Sequence, residues 1–103
     1  MIKQLQYNGD SVYLYITKPM LQLLRANPEE SYFLFTINDN VLNIKKIENK
    51  ENYKDALIKK AQKNGTGYCI YIPKSVLELL DINPTTDKVD ISINGETLSV
   101  KKS

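Results

Sequence analysis

The amino-acid sequence predicts a mainly β fold with short helices, built from two tandem strand–helix–hairpin repeats. Two observations carry this prediction. Residues 2–47 align with residues 58–103 without a gap at a shift of 56 positions, and 18 of the 46 pairs are identical. Within each copy, a β-branched and aromatic run precedes a short helical pattern and then two alternating segments. A gapless repeat of this length indicates one supersecondary unit used twice.

The length of the chain indicates one domain rather than two. We expect a single domain over residues 1–103, with repeat 1 at 1–47, a polar linker at 48–57 and repeat 2 at 58–103. A segment of about 46 residues buries too little apolar surface to fold alone without a disulfide, a metal or a partner. Each repeat should therefore complete its core with the other, as an intramolecular pseudo-dimer.

The second repeat has the clearer signals for the first half of the unit. A short first strand is expected around 59–62, before the turn-forming residues 64–67. The run 68–72 is rich in β-branched and aromatic residues, which predicts a strand. Pro73 is tolerated in the first turn of a helix because its missing N–H would have no partner there. Apolar residues then recur at helical spacing, which predicts a helix over 74–81.

The second half of the unit is predicted to be a helix end followed by a β-hairpin. Asn83-Pro84 ends the helix, because the residue before proline disfavours the helical region. Alternating apolar residues at 89–93 and 98–100 predict two half-buried strands, and Asn94-Gly95 between them is a strong hairpin signal. In repeat 1, Thr17 is expected to cap the helix. The elements expected in repeat 1 are a strand at 12–16, a helix at 18–24 and strands at 32–37 and 41–44.

The linker and the composition add further expectations. Glu48–Asn52 is polar and turn-prone, and a helical turn through Tyr53, Ala56 and Leu57 is one alternative. Cys69 is the only cysteine and there is no histidine, so no zinc site and no cofactor are expected. No apolar run of 18 residues and no leader pattern occurs, so we expect a cytoplasmic protein without a membrane partner.

Catalysis is not expected from this sequence. It contains no Ser/His/Asp set, no carboxylate pair in a defined frame and no glycine pattern of a phosphate loop. We therefore expect neither an enzyme nor a small-molecule substrate.

Lysines concentrate in the early part of each repeat. Residues 58–77 contain four lysines and no acid, whereas residues 2–21 contain two lysines and Asp10. A basic stripe of this kind suits contact with phosphate groups, and an ordinary solvated surface is the alternative. The charge distribution predicts that the second repeat is electrostatically the stronger half. The lysines concerned are Lys3, Lys18, Lys59, Lys60, Lys63 and Lys74.

The stretch Asn64–Leu80 resembles the signature of the AbrB/MazE (SpoVT-AbrB) swapped-hairpin family. That signature is a basic residue near Gly-Asn-Ser, a strand ending in a basic residue and Ile-Pro-Lys, and a short leucine-containing helix. Here the corresponding residues include Lys63, Asn64-Gly65 and Ile72-Pro73-Lys74. A weaker match in repeat 1 comprises Gly9-Asp10-Ser11, Ile16, Lys18 and Leu21. The resemblance covers both repeats and therefore nearly the whole chain.

The resemblance implies a fold and a function. Family members are small cytosolic proteins that bind duplex DNA, among them transcriptional regulators and antitoxins, and two hairpin units interlock into one barrel. For this chain it implies a swapped-hairpin β-barrel formed by two fused copies, acting as a DNA-binding transcriptional regulator. Hairpin exchange between identical units is a low-cost route to a shared core.

The chain departs from the family signature at positions that reach DNA. The residue before Ile-Pro is commonly arginine in the family, whereas here it is Tyr15 and Tyr71. Tyrosine cannot make the bidentate contact by which arginine reads guanine. The basic position near the loop is Lys63 in repeat 2 and Tyr7 in repeat 1. Tyrosines here could bond phosphate or stack on a base, or they could simply be good strand residues, so any DNA contact should depend mainly on lysines.

A protein-interaction module is the alternative function. In this hypothesis the chain is antitoxin-like or an assembly factor that kept the barrel but lost base-specific readout. Tyr32 and Leu34 occupy the strand face that is charged in repeat 2. Either the linker covers these two side chains, or they form an exposed apolar patch for a protein partner or for self-association.

Overall fold

The computed structural model describes all 103 residues and contains ten strands and two short helices. Half of the residues lie in strands, which confirms the predicted mainly β class. The strands are β1 (Ile2–Gln4), β2 (Gln6–Asn8), β3 (Ser11–Ile16), β4 (Tyr32–Asn38), β5 (Val41–Ile47), β6 (Leu57–Lys59), β7 (Gln62–Asn64), β8 (Gly67–Ile72), β9 (Lys88–Asn94) and β10 (Thr97–Lys102). The helices are α1 (Lys18–Leu23) and α2 (Lys74–Leu79).

The strands form two antiparallel sheets and not a closed barrel, so the expectation of a closed barrel is wrong. The larger sheet has the strand order β1-β9-β10-β5-β4-β6, and the smaller sheet has the order β2-β3-β8-β7. The edge strands β1 and β6 are not joined to the smaller sheet by any ladder of hydrogen bonds.

The chain passes directly from the larger sheet to the smaller sheet at two equivalent points. Leu5 separates β1 from β2, and Lys60-Ala61 separate β6 from β7. The Leu5 side chain is buried in the hydrophobic core, whereas Lys60 is exposed and Ala61 is partly buried. The single strand expected around 59–62 is instead two strands of three residues each, separated by Lys60-Ala61.

Strand pairing joins the two repeats throughout. β1 of repeat 1 pairs with β9 of repeat 2, and β6 of repeat 2 pairs with β4 of repeat 1. The registers are equivalent, since the pair Ile2–Asp90 recurs as Ile58–Leu34 at positions 56 residues away. The long strands also pair across the repeats, β3 with β8 and β5 with β10. The two repeats are therefore related by a pseudo-two-fold axis.

Two residue pairs lie on this pseudo-two-fold axis. Leu14 pairs with its own equivalent Ile70 in the smaller sheet, and Asn43 pairs with its own equivalent Ser99 in the larger sheet. The Ser99 hydroxyl donates a hydrogen bond of 2.8 Å to Oδ1 of Asn43. Leu14 and Ile70 are both buried. The axis thus passes through an apolar contact in one sheet and a polar contact in the other.

One hydrophobic core is shared by the repeats. A cluster of 21 buried apolar residues takes side chains from both sheets, both helices and both repeats. Burial of each large apolar side chain contributes about 1.5–3 kcal/mol relative to exposure. Since residues of one repeat are covered by residues of the other, most of this contribution requires both repeats.

Both helices are short because left-handed residues end them. Thr17 caps α1 as predicted, since its Oγ1 accepts a hydrogen bond of 3.3 Å from the N–H of Met20. Arg25 and Asp81 have φ values of 55° and 56° just after α1 and α2. The N–H of Asp81 bonds to the Glu78 carbonyl, and the next N–H reaches back to the helix, which is a Schellman motif. The motif ends α2 before Asn83-Pro84 and two residues earlier than predicted.

The linker forms turns and not the helical turn that was one alternative. The N–H of Tyr53 bonds to the Lys50 carbonyl, the N–H of Ala56 bonds to the Tyr53 carbonyl, and Leu57 already begins β6. Neither helix of the protein is long and apolar enough to span a bilayer.

Cross-repeat pairing predicts that repeat 1 cannot fold alone. In the fragment Met1–Lys46, strands β1, β3, β4 and β5 would each lose a partner strand that the second repeat supplies. We expect this fragment to show no cooperative urea unfolding or to self-assemble, whereas the full chain unfolds cooperatively. The measurements are circular dichroism and analytical ultracentrifugation. A folded, monomeric fragment would contradict the shared-core interpretation.

Candidate nucleic-acid interface

A groove beside the start of α2 brings together several of the predicted contact residues. We call it the basic groove; its volume is about 650 Å³ and it is open to solvent along one side. Its charged residues are three lysines and one aspartate. The lining residues are Asp10, Ser11, Val12, Ile58, Lys59, Lys60, Gln62, Tyr71, Ile72, Pro73 and Lys74.

The pairing of β3 with β8 places residues of both repeats in the basic groove. Val12 at the start of β3 pairs with Ile72 at the end of β8. The turn that precedes β3 therefore lies next to the chain segment that leads into α2. As a result, Asp10 of repeat 1 shares the groove with Lys59 and Lys74 of repeat 2.

This arrangement corrects the predicted charge asymmetry between the repeats. Asp10 was expected to lower the positive charge of repeat 1, but it lies among lysines of repeat 2. The pseudo-two-fold axis relates Lys59 and Lys74 to Lys3 and Lys18, and it relates Asp10 to Thr66. We call the region around Lys3, Lys18 and Thr66 the equivalent region. Both regions have a formal charge of +2, because the basic groove has a third lysine but also an aspartate.

Lys60 of the basic groove is held by contacts within the protein. Its ammonium group donates a hydrogen bond of 2.8 Å to the backbone carbonyl of Glu29 and lies 5.3 Å from the centre of the Tyr32 ring. At the equivalent position, the Gln4 side-chain amide donates to the Pro84 carbonyl at 3.0 Å. The two residues therefore tie each repeat to a loop of the other, and Lys60 is less free to contact a ligand.

Lys63 and Tyr7 line a second depression that adjoins the basic groove. This depression has a volume of about 420 Å³ and shares Gln62 and Tyr71 with the groove. The Lys63 ammonium lies 5.4 Å from the centre of the Tyr68 ring, and the Tyr7 hydroxyl is 2.9 Å from the Thr85 hydroxyl.

The two tyrosines at the family's arginine position are partly buried on the face of the smaller sheet opposite the core. The Tyr71 hydroxyl accepts a hydrogen bond of 3.0 Å from the Asn8 amide, and its ring makes an edge contact with Tyr13 at 5.7 Å between centroids. The Tyr15 hydroxyl lies directly over the Cα of Gly67. Each tyrosine thus reaches the Asn-Gly loop segment of the other repeat.

The predicted site residues fall into two groups. Six of the nine line the basic groove and the adjoining depression, namely Tyr7, Lys59, Lys60, Lys63, Tyr71 and Lys74. The other three do not line these depressions. Lys18 is exposed at the start of α1, and Lys3 is half-buried with its ammonium 3.7 Å from Sδ of Met20.

The exposed apolar patch considered at Tyr32 and Leu34 is not present. Leu34 is only 8% exposed, and its direct partner in the neighbouring strand β6 is Ile58. Tyr32 is partly buried, and the ammonium groups of Lys50 and Lys60 lie over its ring at 5.5 and 5.3 Å. The linker residue Lys50 therefore contributes to covering this surface, and Leu34 has little apolar area to offer a partner.

The sequence analysis missed the roles of Asn8 and Gln62. Asn8 positions the Tyr71 ring, and Gln62 lines both depressions. Only the register of β2 and β7 against the inner strands reveals these placements, and neither residue belongs to a motif with that meaning. No group of acidic, cysteine or histidine side chains could hold a metal ion.

Comparisons with protein-family models, with curated proteins and with solved structures find no match to this chain.

The contact between Tyr15 and Gly67 generates a prediction for stability. A Cβ added at Gly67 would lie 2.6 Å from Cζ of Tyr15 and 2.9 Å from the carbonyl oxygen of Ile16. We expect Gly67→Ala to destabilise the protein by about 1–3 kcal/mol, as overpacking does. Urea unfolding measures the loss, and Tyr15→Ala should recover part of it.

The pseudo-two-fold axis supplies a matched control for this prediction. Ser11 occupies the position equivalent to Gly67 and already carries a Cβ. Ser11→Ala should therefore change stability by no more than a few tenths of a kcal/mol, as is usual for exposed positions. Equal losses for Gly67→Ala and Ser11→Ala would show that the Tyr15 contact does not set the requirement for glycine.

Proposed function

We propose that this protein is a DNA-binding transcriptional regulator of the AbrB/MazE-like type, an intramolecular pseudo-dimer of two swapped-hairpin repeats that acts in the cytoplasm. The observation that carries the proposal is the basic groove, where Lys59, Lys60 and Lys74 converge beside the Ile72-Pro73-Lys74 motif. Open grooves lined by lysines suit the phosphate backbone of nucleic acids, which supplies much of the affinity in protein–DNA binding.

The pseudo-two-fold relation supports duplex DNA as the ligand. The basic groove and the equivalent region have the same formal charge and are related by an approximate two-fold axis. Two-fold proteins match the two antiparallel strands of a duplex because one contact set is repeated on each strand. A molecule of this form would contact the two strands of one duplex with Lys74 and Lys18.

The side chains of the basic groove favour phosphate contact over base readout. The groove contains no arginine, and the only arginine of the chain, Arg25, follows α1. Phosphate contacts fix position but carry no direct sequence information. Binding should therefore discriminate weakly among sequences and should depend strongly on salt.

The proposal predicts the effect of removing lysines. We expect Lys74→Ala and Lys59→Ala each to weaken duplex binding several-fold, and to lower the slope of log K against log salt by about one per lost phosphate contact. Specific and random duplexes should be affected alike. Fluorescence anisotropy at several salt concentrations measures both quantities, and Lys101→Ala on the larger sheet is the control that should change little.

The position of Asp10 provides a sharper version of the same test. Asp10→Asn should strengthen binding because it removes a negative charge from the basic groove. Thr66→Asp should weaken binding, since it places that charge in the equivalent region. If Lys18→Ala, Lys59→Ala, Lys74→Ala, Asp10→Asn and Thr66→Asp all leave binding unchanged, DNA does not contact these surfaces and the proposal is wrong.

A further inference from the structure

Two equivalent leucines are the most exposed large apolar residues of the protein. Leu23 at the end of α1 is 64% exposed and Leu79 at the end of α2 is 67% exposed. They occupy matching positions in the repeats, and the other leucines of both helices face the core. The outward face of each helix end is therefore apolar, without any partner inside the molecule.

Each exposed leucine belongs to a small patch beside the hairpin of the other repeat. Leu23 borders a depression of about 400 Å³ with Arg25 and with the β9–β10 turn. We call this the Arg25 patch; its residues are Leu23, Arg25, Ile93, Gly95 and Glu96. The pseudo-two-fold axis places the equivalent residues at the end of α2, beside the β4–β5 turn. We call these the Asp81 patch; they are Leu79, Asp81, Ile37, Asp39 and Asn40.

The two patches have the same apolar residues but differ in charge, since the Arg25 patch contains one arginine and one glutamate and the Asp81 patch contains two aspartates. Arg25 corresponds to Asp81, and Gly95 corresponds to Asp39, so one patch carries a cation where the other carries two aspartates. Glu96 is already paired, since Lys46 lies 2.7 Å from its carboxylate and holds the pKa of Glu96 below its ordinary value. Asp81 is almost fully exposed and makes only a long contact of 3.8 Å with Lys102. Arg25 and Asp81 are thus available to an external partner.

The backbone at Arg25 has the same left-handed conformation as the backbone at Asp81, since both residues follow the end of a helix. Arg25 has a φ of 55°, a left-handed conformation that suits glycine and costs a residue with a long side chain about 1–2 kcal/mol. Its exposed side chain makes no hydrogen bond or ion pair within the protein. Two backbone hydrogen bonds hold this conformation, from the Arg25 N–H to the Gln22 carbonyl and from the Ala26 N–H to the Leu21 carbonyl, and the charge of Arg25 helps to lower the pKa of Glu96.

We infer that the Arg25 patch of one copy of this chain docks on the Asp81 patch of a second copy. Leu23 and Ile93 then meet Leu79 and Ile37, and Arg25 meets Asp81. The contact is head-to-tail, because a patch pairs with its complement and not with itself, and each copy retains one free patch of each kind. Such a heterologous contact builds open chains of copies unless the rotation closes a ring. The association is independent of the proposed DNA contact, which uses different side chains.

Sedimentation of the full chain over a range of concentrations tests this inference. The patches are small, so we expect a dissociation constant of about 0.1–1 mM, typical of weak interfaces. The weight-average sedimentation coefficient should rise continuously from about 0.01 to 1 mM without a plateau at two copies. Leu23→Asp and Leu79→Asp should each remain monomeric over that range. Both positions are exposed, so thermal unfolding of the two variants should match that of the full chain.

Mixing the two variants identifies the geometry. Leu23→Asp keeps an intact Asp81 patch and Leu79→Asp keeps an intact Arg25 patch, so the equimolar mixture should form a complex of two copies and nothing larger. Arg25→Asp and Asp81→Arg should each weaken association, and the chain that carries both changes should regain it because the charges are exchanged. A full chain that stays monomeric up to about 1 mM, or a mixture no larger than its separate components, overturns the inference.

Discussion

The structure depends on the antiparallel pairing of β3 with β8. This pairing is the longer of the two that each strand makes, because the neighbour on its other side is a strand of only three residues. Their pairing centres on Leu14 and Ile70, both buried on the pseudo-two-fold axis, and it fixes where every other element of one repeat lies relative to the other. With this register, β1 pairs with β9 and β6 pairs with β4. The same register therefore sets both the hydrogen bonds and the apolar contacts between the repeats.

The same pairing determines the chemistry of the surface. Because the turn before β3 lies beside the segment that leads into α2, the groove at the start of α2 is composed of both repeats. The local net charge is therefore a property of such composite surfaces, and the net charge of a sequence segment does not give it. Asp10 illustrates the point: in the sequence it lowers the charge of residues 2–21, but in the molecule it lies among the lysines of residues 59–74.

Local chemistry predicted the elements well, and long-range pairing explains what it missed. The Thr17 cap and the β9–β10 hairpin depend on neighbouring residues, and both were found. The turn of the hairpin lies one residue later than Asn94-Gly95, at Gly95-Glu96, because Asn94 pairs with Thr97. The closed barrel was wrong because the ladders break at Leu5 and at Lys60-Ala61, and neither point carries a glycine, a proline or another turn signal in the sequence. Leu34 was considered for an exposed surface because its equivalent is Asp90, but it is buried. The placement of Asp10 required the register between repeats.

Fusion of the two copies in one chain removes a constraint that a homodimer must obey. In a homodimer both copies have the same residue at each position, so substitutions always appear twice and two-fold related surfaces stay identical. Here Arg25 is exposed in repeat 1, and the equivalent residue in repeat 2 is Asp81. Tyr15 packs against Gly67, and the residue equivalent to Gly67 in repeat 1 is Ser11. The shared core tolerates such differences because most of them lie at the surface or in loops. A fused pseudo-dimer can therefore present two unlike surfaces at positions related by its two-fold axis. The Arg25 and Asp81 residues of the two patches have opposite charges, which equivalent positions of two identical subunits cannot have.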